Sequence, residues 1–240
     1  MQSVPTPGST AILCGSRGAL GAAVCAKLQQ LGVRLITIDP LGTPVHPAAT
    51  YHLCGDLAHE AEWQRLAGEL ATLDCAATML ICLSDAVDHE APALDLAAVA
   101  WDAMFEQQVR RAFLATRWLL PLLQPPAAVV LTASMLGSHD TRADMAALAA
   151  SSAGVLALAR SLAVAAASRG VRVNVVSHPM PLPPDDAAHQ QRIPLGKATA
   201  AAEVADAIMF LLSADAAFLT GSSLVVDGGQ SLQSWSNAPA

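Results

Sequence analysis

Phenol and amine side chains are nearly absent from this chain of 240 residues, which holds one tyrosine, Tyr51, and two lysines, Lys27 and Lys197. Any mechanism that needs a Tyr–Lys pair must find it among those three residues. Charge is scarce too. Charged residues make up 14% and apolar residues 53%, which excludes a disordered chain and favours a large core. A formal net charge of −7 and a pI near 5.4 argue against nucleic acid or an anionic membrane as the main partner. The five cysteines, Cys14, Cys25, Cys54, Cys75 and Cys82, contain no C-x-x-C pair and read as buried thiols in a reducing compartment. No histidine or cysteine pair has zinc-site spacing, so no metal is expected.

Long hydrophobic runs are missing despite a mean hydropathy of +0.43. The longest uncharged run, Trp118–His139, is interrupted by Gln124 and by Pro121, Pro125 and Pro126, so it cannot form one continuous spanning helix. The opening MQSVPTPGST has no basic stretch followed by an apolar one, unlike a secretory signal. The expectation is a soluble cytoplasmic protein with no membrane partner.

What is present is alternation. Short apolar, β-branched runs predict strands at Ala11–Cys14, Arg34–Ile38, Thr50–Leu53, Met79–Leu83, Ala128–Ala133, Arg172–Val176 and Ser223–Val226. Alanine-rich stretches predict helices near Ala19–Leu31, Glu60–Leu73, Trp101–Leu123, Met145–Ser168 and Ala201–Leu212. Strands apolar throughout, each followed by a helix, predict a parallel sheet covered on both faces. Right-handed crossovers make it one doubly wound, Rossmann-like α/β domain over residues 1–240. The stretch HPMPLPP, His178–Pro184, follows a strand, and ligands bind at such carboxyl ends. That loop is expected to sit over a pocket.

Directly after the first strand comes C-G-S-R-G-A-L-G, with Gly15, Gly18 and Gly21 three apart and Arg17 and Leu20 between them. The first glycine permits a tight turn, the later ones permit close approach of backbone and phosphate, and the N–H groups of the next helix face an anion. Asp39 ends the second strand, 18 residues beyond Gly21. A carboxylate there accepts from both ribose hydroxyls and repels a 2′-phosphate, which favours NAD over NADP, while Arg17 pulls mildly the other way. The competing reading of Asp39 is a solvated loop carboxylate before Pro40.

On these and further motifs the chain resembles the short-chain dehydrogenase/reductase family. The closing segments R-I-P-L-G-K (Arg192–Lys197), E-V-A (Glu203–Ala205), F-L-L-S (Phe210–Ser213) and L-T-G-S-S-L-V-V-D-G-G (Leu219–Gly229), and R-G-V-R-V-N (Arg169–Asn174), follow the family in order and spacing. Gly55-Asp56-Leu57 resembles its adenine-contacting segment. The resemblance implies a seven-stranded parallel sheet, a nicotinamide cofactor, a dimer or tetramer, and an Asn–Ser–Tyr–Lys catalytic set. Ser134, closing V-V-L-T-A-S, falls on the catalytic serine. Leu148 stands at the tyrosine position, Ser152 at the lysine position and Gln108 at the asparagine position. The family's N-N-A-G reads Cys82-Leu83-Ser84-Asp85, and its P-G reads His178-Pro179-Met180-Pro181, where prolines remove backbone donors.

The leading expectation is therefore a catalytically inactive relative with a structural or regulatory role, in a homo-oligomer or a hetero-oligomer with an active dehydrogenase. Its NAD site would be retained in the adenosine half and doubtful in the nicotinamide half. One alternative is an atypical NAD(H)-dependent alcohol dehydrogenase or ketoreductase that moves its proton through water or substrate. Another is a non-redox enzyme using Ser134 and His178, with His139 or Asp85 assisting. Trp101, Phe113 and Trp118 recur at helical spacing and are expected to form a packing face.

Overall fold

Seven strands lie side by side in the order β3-β2-β1-β4-β5-β6-β7, every neighbouring pair parallel. They are β1 Thr10–Cys14, β2 Arg34–Pro40, β3 Tyr51–Gly55, β4 Ala77–Cys82, β5 Ala127–Ser134, β6 Val171–His178 and β7 Ser223–Val225. This computed structural model describes residues 5–73, 76–84, 91–140, 142–180 and 193–232. The helices are α1 Gly18–Gln30, α2 Glu60–Thr72, α3 Ala98–Phe105, α4 Arg111–Leu119, α5 Ala146–Ala167 and α6 Ala201–Leu212.

The strands are apolar at every position because both faces are covered, and alternate residues enter opposite cores. Ile12, Ile36, Ile38 and Leu80 join Trp63 and Leu66 of α2, Leu114 of α4 and Val155 of α5 on one face. Ala11, Leu13, Leu35, Met79 and Ile81 meet Val24 and Leu28 of α1 and Val204 and Ile208 of α6 on the other. Sliding one strand by a residue would exchange its two sets, so the pleat fixes the register.

Local chemistry sets the helix ends. After α1, Gly32 adopts φ +68°, its N–H bonds Gln29 O, and the Val33 N–H bonds Leu28 O. Those paired bonds need a left-handed residue at that point, where glycine pays no Cβ penalty. At the start of α6, the Glu203 carboxylate accepts the Ala200 N–H at 2.6 Å, satisfying one otherwise orphaned donor.

Two expectations are corrected. The single helix predicted over Trp101–Leu123 is interrupted by a π-helical segment, Glu106–Arg110, between α3 and α4. It ends at Leu119 because Pro121, in the 3-10 turn Leu120–Leu122, has no N–H to continue the ladder. Strands β5 and β6 also run further than predicted. Ser134 and His178 are their last residues and are register partners, so His178 belongs to the strand; Pro181–Pro184 lie outside the described residues.

Among the described residues one helix, α5, is long and apolar enough to cross a membrane by length and composition. It packs in the core through Val155, Ala159 and Ala163 against one face of the sheet and through Leu148 in a smaller cluster with Met104 and Leu136, as the central helix of an α/β layer must.

Candidate functional site

The carboxyl ends of the strands converge where the order reverses between β1 and β4, the place at which doubly wound sheets bind ligands. There Gly15 (φ +98°) and Gly18 (φ +71°) carry the chain from β1 into α1. A Cβ on Gly21 would lie 2.4 Å from Ser16 backbone atoms, so only glycine lets the turn close on the helix. Arg17 is the exposed residue preceding α1. Leu20 is half-buried against the α1–α6 core.

Asp39 lies beside this turn with its side chain wholly enclosed. Its Oδ1 accepts the Ser16 N–H at 2.7 Å and its Oδ2 accepts the Ser16 hydroxyl at 2.7 Å, while His52 Nδ1 stands 3.7 Å from Oδ2. The carboxylate is thus committed to the glycine turn and is not a solvated loop group. His52 bridges further, with Nδ1 2.8 Å from Thr37 Oγ1 and Nε2 3.1 Å from Thr43 O and 3.0 Å from Cys54 Sγ.

Next to the turn, at the ends of β2 and β3, opens a cleft of about 500 Å³, within the range of small-molecule sites. Pro40, Leu41, Asp56 and Leu57 form one wall; Ala103, Glu106, Gln107 and Arg111 form the other. Asp56 is exposed there, and its Oδ1 accepts the Ala58 N–H at 3.3 Å. Leu57 is 6% exposed, and its carbonyl accepts the Trp63 indole N–H at 3.0 Å. The second wall is drawn from α3, the π-helical segment Glu106–Arg110 and the first residue of α4, and such a helical irregularity is often found at functional sites.

Further along the strand ends the space closes. Among Cys14, Cys82, Leu83, Ser84, Gln107, Gln108 and Arg111 about 10 Å³ remains. Cys14 and Cys82 are register partners. The Cys14 thiol is held well above the usual thiol range by its hydrogen bond with Cys82 and by burial, so it stays protonated at neutral pH. Beyond them, Ser84, Gln108, Ser134, Leu148, His178, Pro179 and Met180 enclose about 20 Å³, room for one water.

Ser134, 7% exposed, donates its N–H to Ser152 Oγ at 3.2 Å and accepts the Leu136 N–H on its own Oγ at 3.3 Å. His178 Nδ1 donates to Pro179 O at 2.8 Å, which leaves Nε2 as a lone pair. Among the described residues that atom is buried without a hydrogen-bond partner, as is Gln108 Oε1. Burial pushes the His178 pKa below its ordinary value, so the ring is neutral at pH 7.

The structure brings together Ser134, Leu148, Ser152, Gln108 and His178. It does not bring Tyr51 or a lysine to them. Tyr51 opens the edge strand β3, Lys27 pairs with Asp206 at 2.6 Å, and Lys197 pairs with Glu203. His139 bonds Ser138 and lines a separate cavity with Arg160 and Ser223; Asp85 lies outside the described residues. Sequence reasoning missed Ser16 and Arg111. The signal for Arg111 was the doublet Arg110-Arg111, beginning two residues after Gln108 and conspicuous in a chain with so few charges.

A glycine turn between β1 and α1 of a doubly wound parallel sheet, with a cleft beside it at the ends of β2 and β3, defines an α/β protein of the Rossmann class. Residues 16–231 match the family profile described as enoyl-(acyl carrier protein) reductase. The chain belongs to the short-chain dehydrogenase/reductase family. It is 30% identical to cis-4-hydroxycyclohexanecarboxylate dehydrogenase of Sinomonas cyclohexanicum over 91% of this chain and 95% of that enzyme. An uncharacterized short-chain type dehydrogenase/reductase of Sinorhizobium fredii is 40% identical over 121 residues, which are 45% of this chain and 22% of that longer protein. Among solved structures, the NADPH-bound short chain oxidoreductase of Pseudomonas aeruginosa PAO1, described as containing an atypical catalytic center, superposes with a TM-score of 0.85. That match has 25% identity and covers 96% of this chain and all of the other.

Proposed function

We propose that this chain uses the short-chain dehydrogenase/reductase scaffold without the family's carbonyl–alcohol reaction, in a structural or regulatory role within an oligomer. The observation that carries this reading is the set of side chains around Ser134. Leu148 is apolar and 2% exposed, Ser152 is buried and occupied as a hydrogen-bond acceptor, and Gln108 replaces the asparagine. Positioned proton transfer contributes roughly 10²–10⁴ in rate, and neither a phenol nor an amine reaches this place. His178 and Gln108 line the one-water cavity, and the atoms they leave buried without partners among the described residues are the acceptors Nε2 and Oε1, whereas a carbonyl oxygen gaining negative charge needs donors.

Nicotinamide dinucleotides supply hydride transfer when bound to this family. Here the glycine turn and the cleft beside Asp56 and Leu57 fit the adenosine end. The roughly 20 Å³ near Ser134 does not fit a nicotinamide ring, so no chemical step is assigned to it. For assembly, the family's usual contact uses the helices equivalent to α4 and α5. On these helices Phe113 is 41% and Val164 81% exposed, apolar surface that a second subunit would cover.

The Pseudomonas oxidoreductase, with NADPH bound and an atypical catalytic center, favours a second reading, a slow oxidoreductase using water as proton carrier. One assay separates the two. The purified oligomer is incubated with NADH or NADPH and a panel of ketones, and with NAD or NADP and the matching alcohols, cis-4-hydroxycyclohexanecarboxylate included. No turnover above the protein-free rate is expected; steady turnover abolished by Ser134→Ala would establish the oxidoreductase instead.

A further inference from the structure

Cysteine is the last residue of both β1 and β4, and the strand order makes these distant segments neighbours. Cys14 and Cys82 are register partners, and both enter the core on the same face of the sheet. Neighbouring strands run about 4.8 Å apart, inside the roughly 4.4–6.8 Å between Cα atoms that a disulfide spans. Because both side chains leave the sheet on one side, the two sulfurs meet in a hydrogen bond.

The fold keeps two other thiols away from this pair. Cys25 belongs to the core on the opposite face, where burial pushes its pKa up to about 12. Cys54 lies two strands from β1, in register with Asp39, and its Sγ stands 3.0 Å from His52 Nε2. Cys75 lies outside the described residues.

The pair is enclosed but not sealed. Cys14 and Cys82 line the space of about 10 Å³, enough for about one water-sized molecule. Gln107 and Arg111 line both that space and the cleft of about 500 Å³, so a reagent of that size reaches the sulfurs from the cleft. Arg111 Nη2 lies 3.6 Å from where a Cβ on Gly15 would stand, and Leu83 borders the same point at 3.4 Å. Larger reagents are held back there. Cys82 is 7% exposed and Cys14 1%, so Cys82 meets the reagent first. The hydrogen bond with Cys82, burial, and the charges of Cys82 and Asp39 hold the Cys14 thiol protonated against the opposing charge of Arg111.

We propose that Cys14 and Cys82 close to a reversible disulfide under hydrogen peroxide, a redox-sensitive modification site at the crevice between β1 and β4. The Cys82 sulfur gives up its proton and attacks one peroxide oxygen. The O–O bond breaks, a sulfenic acid forms, and the departing hydroxide takes the proton to leave as water. The Cys14 sulfur then attacks the sulfenic sulfur, the S–O bond breaks, and the second hydroxide leaves as water with the Cys14 proton. Two thiols are oxidised by two electrons, and one peroxide is reduced to two waters. The new bond ties the residue before Gly15 to the residue before Leu83, whose N–H already donates to Cys14 O at 2.9 Å. It forms independently of any turnover at Ser134. Transient disulfides of this kind serve redox sensing in reducing compartments.

The test treats the folded full-length protein with hydrogen peroxide, alkylates it in denaturant with iodoacetamide, and maps the peptides by mass spectrometry. The alkylated peptides carrying Cys14 and Cys82 are expected to be lost and replaced by one cross-linked species, and dithiothreitol should restore them. In Cys82→Ser, Cys14 is expected to stay alkylatable under the same treatment. In Cys14→Ser, Cys82 is expected to stop at a sulfenic acid that dimedone traps. If either variant does not fold, the wild-type linkage decides alone. The proposal is overturned if both peptides stay fully alkylated at every peroxide dose that preserves the circular dichroism. Separate oxidation of the two sulfurs to sulfinic acids overturns it too, as does pairing of either with Cys25, Cys54 or Cys75.

Discussion

Ser16 gives both its backbone N–H and its hydroxyl to Asp39, and this one residue changes what the carboxylate is for. From sequence, Asp39 has the position of a ribose acceptor, because an acidic residue ending the second strand is visible at once. Its partner is not visible, since the pairing depends on how the glycine turn folds back over β2. His178 shows the same division. Its place after the sixth strand is legible, but its being paired in register with Ser134, its tautomer and its enclosed Nε2 come from the strand running two residues further. A pH effect follows from that enclosure. The folded-state pKa lies below the ordinary value near 6.5, so just below that pH the unfolded chain binds the extra proton and the folded chain does not. Stability then rises with pH through this window. It is fully present above about pH 6.5 and is lost as the solution is acidified toward the folded-state pKa. Comparing urea midpoints of wild type and His178→Asn from pH 7.5 down to 5 should show a wild-type loss that the variant lacks. Parallel curves would mean that the ring takes up its proton freely in the folded state.

At the scale of elements, the 3-10 turn Met135–Gly137 lies tightly against α5. A Cβ on Gly137 would stand 2.6 Å from Ala153 N and 2.8 Å from Ser152 atoms, and none of those is the end of a flexible side chain. Gly137→Ala should therefore cost about 1–3 kcal/mol. It would also displace Ser152 from the Ser134 N–H. The control is Gly68→Ala on the exposed side of α2, where nothing lies within 4 Å; it should stabilise by about 0.5–1 kcal/mol. Chemical denaturation of the two variants gives opposite signs on this account and the same sign if helix propensity alone governs. The strand and helix alternation behind this packing was legible because each element carries its own apolar period. The π-helical segment was not, because Glu106–Arg110 has no periodicity of its own and is held by contacts such as Val109 against Gly154.

For the whole molecule, the aromatic residues test the assembly proposal. Trp101 stacks on Phe105 with ring centroids 5.0 Å apart and remains 38% exposed. The Arg117 guanidinium lies 6.0 Å from the Phe113 ring centroid and 5.9 Å from that of Trp118. The expected packing face is thus divided, with Trp118 turned to the core and Trp101 and Phe113 toward the outside. Val164→Glu, on the exposed side of α5, should lower the mass measured by light scattering by at least half while leaving the circular dichroism unchanged. A wild-type chain that already runs as a monomer would end the proposal that α4 and α5 carry the assembly.

The sequence by itself determined the parallel α/β sheet, the glycine turn and the order of the segments around Ser134, because each rests on residues close together in the chain. It also determined that tyrosine and lysine are missing from that order, a fact that composition alone makes plain. Tertiary structure decided the rest. That Asp39 is tied to Ser16, that Arg111 fills the crevice at Gly15, and that Ser134 and His178 share a cavity of one water's size are all meetings between residues tens of positions apart. Such meetings are set by strand register and helix packing, and no local pattern in the chain encodes the distance between their side chains.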